Sequence, residues 1–280
     1  MKIAVVSGKG GAGKTSIAVS LALVKGEGVL VDADVEEPNA ALLLSPQMTS
    51  RREVFKKVPV VDQNNCDYCK RCAEACQFNA IMVLPGSVVV FDKLCHSCGT
   101  CAYVCPRHAI KEDEKPIGVI EIGVRGSIRF IGGRLNVGEA MGTPLIRELR
   151  RSIPKDSPFV IVDAPPGVTC PVVEAVKGCD YILVVAESTV FGFHDFTLVV
   201  EFLREIGVPF GVIENKRGLV EESLISDFCE SEGLELIASL PYDSEIASCY
   251  SRGVPMVEAA WEMEDLFREI LERVEEKMGC

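Results

Sequence analysis

The sequence predicts an α/β fold in which a mostly parallel sheet is flanked by helices and interrupted by a separate cysteine-rich module. Two observations predict the sheet: short apolar segments alternate with helical patterns near both ends of the chain, and a Gly-rich turn joins the first apolar segment to the first helix. By contrast, residues 61–113 lack this alternation and contain an internal repeat. We therefore expect a core formed by residues 1–60 and 114–280, with 61–113 inserted between its two parts.

The first part of the core has the pattern strand, turn, helix, strand. Its expected strands are Lys2–Val6 and Gly28–Val31, with a helix over Thr15–Val24 between them and a second helical segment over Pro38–Leu44. In the second part we expect strands at 159–162, 181–185, 210–213 and 236–238. These runs are short and apolar and are separated by helical patterns, so they indicate parallel strands buried on both faces.

Composition and charge narrow the classes of partner. The chain has 280 residues, of which 48% are hydrophobic and 25% charged, enough for a sizeable core in one large domain or two small ones. The formal net charge is −12, which repels phosphate backbones and anionic lipid surfaces. We therefore expect no nucleic-acid partner.

The thirteen cysteines raise the question of compartment. The first residues, Lys2–Val6, have the pattern of a strand rather than of a secretion signal, so we expect reduced thiols in the cytoplasm. Apolar runs such as Ile17–Val24 are far shorter than the roughly 20 residues that a membrane-spanning helix needs. Residues 261–278 carry a helical apolar stripe, but their polar positions are mainly acidic, whereas membrane-surface helices favour basic ones. We expect a docked helix and no membrane partner.

A phosphate-binding loop is predicted between the first strand and the first helix. The pattern G-x-x-x-x-G-K-[ST] allows backbone N–H groups to converge on phosphate oxygens, while Lys14 offers a charge to the β- and γ-phosphates and Thr15 a hydroxyl to Mg²⁺. A Gly-rich turn without a ligand is the alternative. The expected nucleotide-binding residues of the loop are Gly8, Lys9, Gly10, Gly11, Ala12, Gly13, Lys14, Thr15 and Ser16.

Acidic residues follow two of the expected strands. Asp163 ends an apolar strand, where a carboxylate is costly unless it serves an ion or hydrogen bonds, and it fits a Walker B carboxylate for hydrated Mg²⁺. Asp32 and Asp34 end the second strand, at the edge of the sheet where open α/β folds bind ligands. We expect all three in one pocket. A helix-capping pair is the alternative for Asp32 and Asp34.

The motif K-G-G-x-G-K-[ST] beginning at Lys9, the paired aspartates, and Asp-x-Pro-Pro-Gly from Asp163 to Gly167 together resemble the deviant Walker A ATPases. That family includes the MinD, ParA, Mrp/Nbp35 and nitrogenase iron proteins, and the resemblance covers essentially all of the chain outside the insert. It implies ATP/ADP and Mg²⁺ as ligands and an ATP-dependent homodimer. In such a dimer Lys9 would cross to the partner's phosphates and offset charge that develops during hydrolysis.

The same resemblance implies individual roles. Asp34 would position water, and Asp32 would lie near a Mg²⁺ ion held with Thr15 and Asp163. The implied catalytic residues are Lys9, Lys14, Asp34 and Asp163. The segments 212–216 and 240–243 resemble the family's base-binding segments, with Asn215 in the place of the adenine-reading asparagine and Pro241, Tyr242 and Asp243 beside it. Without the family, Asn215 is a turn residue after a strand.

The insert contains the run C-x₂-C-x₂-C-x₃-C twice, beginning at Cys66 and at Cys95, with matching Ala-Ile ends. This is the pattern of the bacterial two-cluster ferredoxins, so we expect an α+β ferredoxin-type domain with two [4Fe–4S] clusters. In that fold the fourth cysteine of each run binds the other cluster. The expected ligands are Cys66, Cys69, Cys72 and Cys105 for the first cluster, and Cys95, Cys98, Cys101 and Cys76 for the second. Structural zinc is the alternative metal, and a purely structural or redox-sensing insert is the alternative to electron transfer.

Cys170 lies seven residues after Asp163, in the segment expected to sense the γ-phosphate. The nitrogenase iron protein has a cluster ligand at this offset, which implies a redox or ligand thiol near the axis of a dimer. However, Glu139 occupies the segment that resembles the location of its second cysteine, and Val173 replaces the second cysteine of the Mrp/Nbp35 pair. A small packed residue is the alternative for Cys170. Cys179, Cys229, Cys249 and Cys280 have no ligand spacing.

These observations combine into one leading hypothesis. The chain is expected to be an ATPase whose nucleotide-switched dimer gates electron transfer through two [4Fe–4S] clusters to or from an unidentified protein. The first alternative is an iron–sulfur carrier or assembly ATPase that delivers clusters to an acceptor protein. The second is a positioning or scaffold ATPase resembling MinD.

Overall fold

A computed structural model of the chain describes residues 1–219 and 224–279. The strands in these residues form one large sheet and one separate hairpin. They are β1 (Lys2–Val6), β2 (Glu27–Asp32), β3 (Gln47–Val61), β4 (Ile81–Leu84), β5 (Ser87–Val90), β6 (Ile110–Arg125), β7 (Ser127–Leu135), β8 (Val160–Asp163), β9 (Tyr181–Glu187), β10 (Phe210–Arg217) and β11 (Leu236–Pro241).

The helices connect the strands of the large sheet and cover both of its faces. They are α1 (Lys14–Lys25), α2 (Ala40–Leu44), α3 (Arg71–Glu74), α4 (Thr100–Tyr103), α5 (Thr143–Ser152), α6 (Cys170–Val176), α7 (Val190–Ile206), α8 (Leu224–Ser231), α9 (Ser244–Ser251), α10 (Met256–Ala259) and α11 (Trp261–Met278). A short 3₁₀ helix spans Asp92–Leu94. In the part of the chain that is described, no helix combines the length and apolarity needed to cross a membrane.

The large sheet has the strand order β11-β10-β9-β1-β8-β2-β7-β6-β3. Strands from β11 to β7 pair in parallel, and β6 and β3 complete the sheet as antiparallel strands. The expected α/β fold with a mostly parallel sheet flanked by helices is therefore confirmed.

Three strands of the large sheet were not expected from the sequence: β3, β6 and β7. The strand β3 lies at the edge of the sheet and most of its residues are exposed, so it carries charged side chains such as Arg51 and Arg52 in place of an apolar run. An apolar pattern predicts buried strands well, but it does not predict an exposed edge strand, whose residues are largely polar.

Strands β3 and β6 form an antiparallel ribbon that is longer than the sheet beside it. Gly118 of β6 pairs with Leu135, the last residue of β7, so residues 110–117 continue past the carboxyl edge of the parallel strands. Residues 55–61 of β3 continue with them, and Val61 faces Ile110 at the tip. At about 3.3 Å per residue, this extension reaches roughly 25 Å beyond the edge. Residues 62–109 therefore lie beyond the side of the sheet on which parallel α/β proteins bind ligands.

The apolar core has two layers, one on each face of the sheet. One layer includes α1 and α11, and the buried residues of α11 are Met263, Phe267, Ile270, Leu271 and Val274. The other layer includes α5, α6 and α7. The apolar stripe of α11 is thus covered by the protein, as expected for a docked helix. The cysteine-rich segment has a small core of its own, which includes Cys72, Ile81, Val88 and Ile110.

Candidate functional site

The phosphate-binding loop connects the end of β1 to the start of α1. Gly13 caps α1 with a φ of 101°, and Gly11 has a φ of 79°, a region that favours glycine. A Cβ atom at Gly13 would lie 2.2 Å from the side-chain nitrogen of Asn215. The loop thus needs glycine both for its backbone conformation and for the close approach of β10.

An open cavity of about 360 Å³ lies between this loop and the carboxyl ends of β10 and β11. The structure brings together eleven of the expected residues around it: Gly10, Gly11, Gly13, Lys14, Thr15, Ser16, Asp34, Asn215, Pro241, Tyr242 and Asp243. The other lining side chains include Tyr250 and Met256. The cavity is not lined by Gly8, Lys9, Ala12, Asp32 or Asp163. Ala12 belongs to the loop, but its side chain is buried.

Asp32 and Asp163 lie behind the loop and are fully buried. The Asp32 carboxylate accepts hydrogen bonds from the backbone N–H groups of Asp34 at 3.2 Å and Ala40 at 3.0 Å. Because Ala40 is the first residue of α2, this geometry agrees with a capping role for Asp32. By distance and angle, neither carboxylate oxygen of Asp163 has a hydrogen-bond partner among the described residues, although the Thr15 hydroxyl lies near enough to lower its pKa.

Burial and repulsion shift the protonation of these carboxyls. Burial raises the pKa of Asp163 to about 6, although the Lys14 ammonium lowers it. Burial and the Asp163 charge raise the pKa of Asp32 well above its usual value. Burial also raises the pKa of Asp34, against the attraction of Lys14, whose Nζ lies 3.7 Å from its Oδ2. The buried carboxyls of Asp32 and Asp163 provide oxygen ligands of the kind that Mg²⁺ prefers.

Lys9 points to a carboxylate of its own chain. Its Nζ lies 2.7 Å from Glu187 Oε1, and the Nζ of Lys216 lies 2.8 Å from Glu187 Oε2 and 2.8 Å from the carbonyl oxygen of Gly11. Burial opposes ionisation of Glu187, but the hydrogen bonds from Lys216 and Lys9 outweigh it and lower its pKa to about 2. Sequence reasoning missed Glu187. The available signal was its position at the carboxyl end of β9, equivalent to that of Asp163 in β8.

Asn215 and Asp243 are both engaged within the protein. The side-chain N–H of Asn215 donates to the carbonyl oxygen of Ala12 at 2.8 Å, and its Oδ1 accepts the backbone N–H of Lys216 at 2.9 Å. Asp243 caps α9 by accepting from the N–H groups of Glu245 and Ile246. Asn215 thus ties β10 to the phosphate-binding loop, while the half-exposed ring of Tyr242 faces the cavity.

The eight repeated cysteines surround two smaller cavities in the inserted segment. One of them is lined by Cys66, Cys69, Cys72 and Cys105, and the other by Cys76, Cys95, Cys98 and Cys101. The fourth cysteine of each run thus lies at the cavity of the other run. Within 1–219 and 224–279, no set of three or more His, Cys, Asp or Glu side chains is grouped closely enough to hold one metal ion.

The two runs have matching backbone geometry. Backbone N–H groups of Tyr68 and Ala80 donate to Cys66 and Cys76 sulfurs at 3.4 and 3.3 Å, and those of Ser97 and Ala109 donate to Cys95 and Cys105 at the same two distances. The positive φ angles also recur, at Tyr68, Lys70 and Asn79 in the first run and at Ser97, Gly99 and His108 in the second.

Thiols in each cavity differ in their ease of ionisation. Burial raises the pKa of Cys101 to about 11 and also raises that of Cys72, whereas a hydrogen bond with the Thr100 hydroxyl lowers the pKa of Cys98. N–H donors to sulfur stabilise the thiolate form that iron–sulfur clusters require. Each of the two cavities is lined by four cysteine sulfurs, two of which accept such a hydrogen bond.

The remaining cysteines lie apart from these cavities. Cys170 is exposed at the start of α6, so it is not a packed residue, while Cys229 is buried and Cys179 and Cys249 are half-buried. Cys280 lies outside the described residues. Glu139 forms a buried ion pair with Lys56.

Comparisons with known proteins agree with this architecture. The uncharacterized protein MJ0578 of Methanocaldococcus jannaschii is 30% identical over 280 residues, covering 99% of this chain and 97% of the relative. The uncharacterized ATP-binding protein MJ0685 of the same organism is 27% identical over 134 residues, covering 47% of this chain and 51% of the relative.

Similarity among solved structures supports the fold. The septum site-determining protein MinD of Pyrococcus horikoshii, complexed with Mg-ADP, superposes with a TM-score of 0.62 at 19% identity, covering 99% of this chain and 97% of that one. The sequence matches the family described as the CobQ/CobB/MinD/ParA nucleotide binding domain over residues 3–256. The chain therefore belongs to the CobQ/CobB/MinD/ParA family of nucleotide-binding proteins.

Proposed function

We propose that the protein is an ATPase that binds two [4Fe–4S] clusters and uses its nucleotide state to gate electron transfer to or from a partner protein. The observation that carries the proposal is that one edge of the sheet bears both the phosphate-binding loop and the ribbon that ends in the cysteine-lined cavities. The ATPase part of the proposal rests on family membership and on the cavity beside the phosphate-binding loop.

ATP would lie in the large cavity, with its phosphates at Gly10–Thr15 and its base near Tyr242. The helix N-terminus and Lys14 would offset phosphate charge. Thr15, Asp32 and Asp163 would hold Mg²⁺, and the lack of hydrogen-bond partners for Asp163 among the described residues supports its place there. Asp34, which lies beside Lys14, would orient the attacking water.

Hydrolysis would need a homodimer, because Lys9 is proposed to reach the partner's phosphates. In the single chain Lys9 is instead bound to Glu187. Formation of the dimer would therefore exchange a contact within the chain for one across the interface. Cys170, exposed at the same edge of the sheet, would then lie near its copy in the partner.

The iron–sulfur half of the proposal rests on the donor sets of the two cavities. Cys66, Cys69, Cys72 and Cys105 would hold one cluster, and Cys76, Cys95, Cys98 and Cys101 the other. Bound [4Fe–4S] clusters would supply one-electron transfer. The exchange of fourth cysteines between the runs favours this assignment over structural zinc, which usually takes two C-x₂-C pairs. We accordingly propose 61–113 as a ferredoxin-type domain between core segments 1–60 and 114–280.

Anaerobic reconstitution with iron and sulfide tests the proposal. We expect about eight zinc-free irons per chain, a low-temperature EPR signal after reduction, and a rate of ATP hydrolysis that differs between oxidised and reduced protein. Hydrolysis that is independent of redox state, with no loss of iron, would support a MinD-like scaffold ATPase instead. Release of iron–sulfur clusters to an apo-acceptor during turnover would support a carrier or assembly ATPase.

A further inference from the structure

Lys56 and Glu139 form an ion pair whose side chains are only 1% and 5% exposed. Lys56 lies on β3 in the ribbon extension, and Glu139 lies in the loop 136–142 between β7 and α5. Neither residue belongs to the nucleotide cavity or lines a cysteine cavity. Burying two charges is costly unless their geometry is kept, so this pair fixes the ribbon to the loop.

On one side, the loop 136–142 is packed against the nucleotide site through Val35, which follows Asp34 in the chain. The Val35 carbonyl oxygen accepts the N–H of Leu135 at 2.8 Å. A Cβ atom at Gly142 would lie 2.8 Å from a methyl group of Val35, and one at Gly133 would lie equally close to the other methyl group. Because Val35 packs closely against the end of β7 and against the last residue of the loop, a shift at Asp34 would displace the loop that carries Glu139.

On the other side, the ion pair reaches the second cysteine cavity. Lys57, next to Lys56, lines the cavity of Cys76, Cys95, Cys98 and Cys101 together with Pro59. Lys115, opposite Lys56 in the ribbon, forms an ion pair with Asp92, three residues before Cys95. The loop also approaches this region directly, since a Cβ atom at Gly138 would lie 3.1 Å from Lys93 Nζ.

We infer that Lys56 and Glu139 are positioning residues that transmit the nucleotide state sensed at Asp34 to the second cysteine cavity. The inference rests on the proposed function in that a nucleotide must bind beside the phosphate-binding loop. Separating the two buried charges would leave each without a partner, so the loop and the ribbon move as one body.

Hydrogen–deuterium exchange of the full chain, with and without Mg·ADP, tests the inference. In the wild type we expect ADP to slow exchange in residues 54–61 and 110–117 by about fivefold or more. Glu139→Gln abolishes this response while ADP affinity stays unchanged. The control is Glu121→Gln on the same ribbon, where Glu121 pairs with the exposed Arg51 at 3.8 Å, and it keeps the wild-type response.

A second readout uses the cluster-free chain, in which the thiol of Cys98 is exposed and free to react. ADP changes its alkylation rate in the wild type and in Glu121→Gln, but not in Glu139→Gln. The charge-exchanged double variant Lys56→Glu/Glu139→Lys restores the response, which loss of stability alone would not explain.

Three results overturn the inference. If ADP binds but ribbon exchange in the wild type does not change, the coupling is absent although the nucleotide site stands. If Glu139→Gln retains the response, the ion pair is not its route. If the chain binds no ADP, the inference falls together with the proposed ATPase. If Glu139→Gln fails to fold, the comparison of the wild type with and without ADP and the response of the double variant still test the inference.

Discussion

Asp32 and Asp163 occupy paired positions on the adjacent parallel strands β2 and β8, and both carboxyls are fully buried. Asp32 has backbone N–H partners, whereas Asp163 has no hydrogen-bond partner among the residues described. Burial raises the pKa of both groups. Without a cation, the carboxyl edge of the sheet therefore holds negative charge at an energetic cost. Such a site lowers the free energy of unfolding of the ligand-free protein, while it provides the groups that bind a ligand.

The first prediction is that Asp163→Asn stabilises the Mg²⁺-free chain at pH 7.5. Its pKa is raised from 3.8 to about 6, so ionisation in the folded state costs up to about 3 kcal/mol. The penalty is full above pH 6 and vanishes below pH 4, where the carboxyl is protonated in both folded and unfolded states. We therefore expect a higher Tm at pH 7.5 and little difference near pH 4, measured by thermal unfolding.

The exposed Asp156 provides the control for this measurement. Asp156→Asn should leave the Tm unchanged at both pH values. The same Asp163→Asn variant should lose Mg²⁺-dependent tightening of ATP binding. Equal Tm values for wild type and Asp163→Asn at pH 7.5 would contradict a strained carboxylate.

The second prediction separates the two lysines of the loop. Lys14 is buried beside the cavity, so Lys14→Ala should abolish ATP binding. Lys9 does not line the cavity and is bound to Glu187. Lys9→Ala should therefore bind ATP normally but hydrolyse it about 10²- to 10³-fold more slowly, if Lys9 stabilises charge in the partner's transition state.

Isothermal titration calorimetry and a phosphate-release assay check both variants. The matched control is Lys25→Ala, a lysine at the far end of α1 that pairs with Glu275. It should retain binding and hydrolysis. Normal hydrolysis by Lys9→Ala would remove Lys9 from the reaction.

Local sequence patterns predicted the loop and the cysteine runs because their chemistry requires fixed spacing along the chain. Contacts between distant segments left no such pattern. Glu187, which holds Lys9, and the pair formed by Lys56 and Glu139 became visible only when the fold placed these residues together. The resemblance to the nitrogenase iron protein singles out Glu139 as the residue in the place of a cysteine, but no local pattern predicts its ion pair. The ribbon was missed for a related reason, since most residues of its edge strand β3 are exposed and many of them are charged.

The third prediction concerns the exchange of the fourth cysteine between runs. Because Cys105 lies at the cavity of Cys66, Cys69 and Cys72, Cys105→Ser should impair the cluster of the first run and spare that of its own run. Reconstituted iron should fall from about eight to about four per chain. Cys76→Ser should impair the other cluster, lined by Cys95, Cys98 and Cys101.

Iron analysis and EPR of the reduced proteins distinguish the two variants, because each should retain a different single-cluster signal. The control is Cys249→Ser, which alters a half-buried thiol outside both cavities and should bind iron as the wild type does. Identical spectra from Cys76→Ser and Cys105→Ser would contradict the exchange.

The fourth prediction tests the proposed dimer through Cys170. This thiol is exposed at the start of α6, close after Asp163 at the carboxyl edge of the sheet, and the proposed dimer brings two copies together. A short bismaleimide should therefore cross-link the chain through Cys170 with ATP but not with ADP. Denaturing gels measure the product, and Cys170→Ala should eliminate it.

The cross-link also reports on Lys9. If release of Lys9 from Glu187 accompanies dimer formation, Glu187→Gln should increase cross-linking at limiting ATP, because the uncharged amide binds the lysine more weakly than the carboxylate does. Lys9→Ala should lower it by removing a contact across the interface. Equal cross-linking with ATP and ADP would show that the nucleotide does not control the association, and the switch would then have to act within one chain.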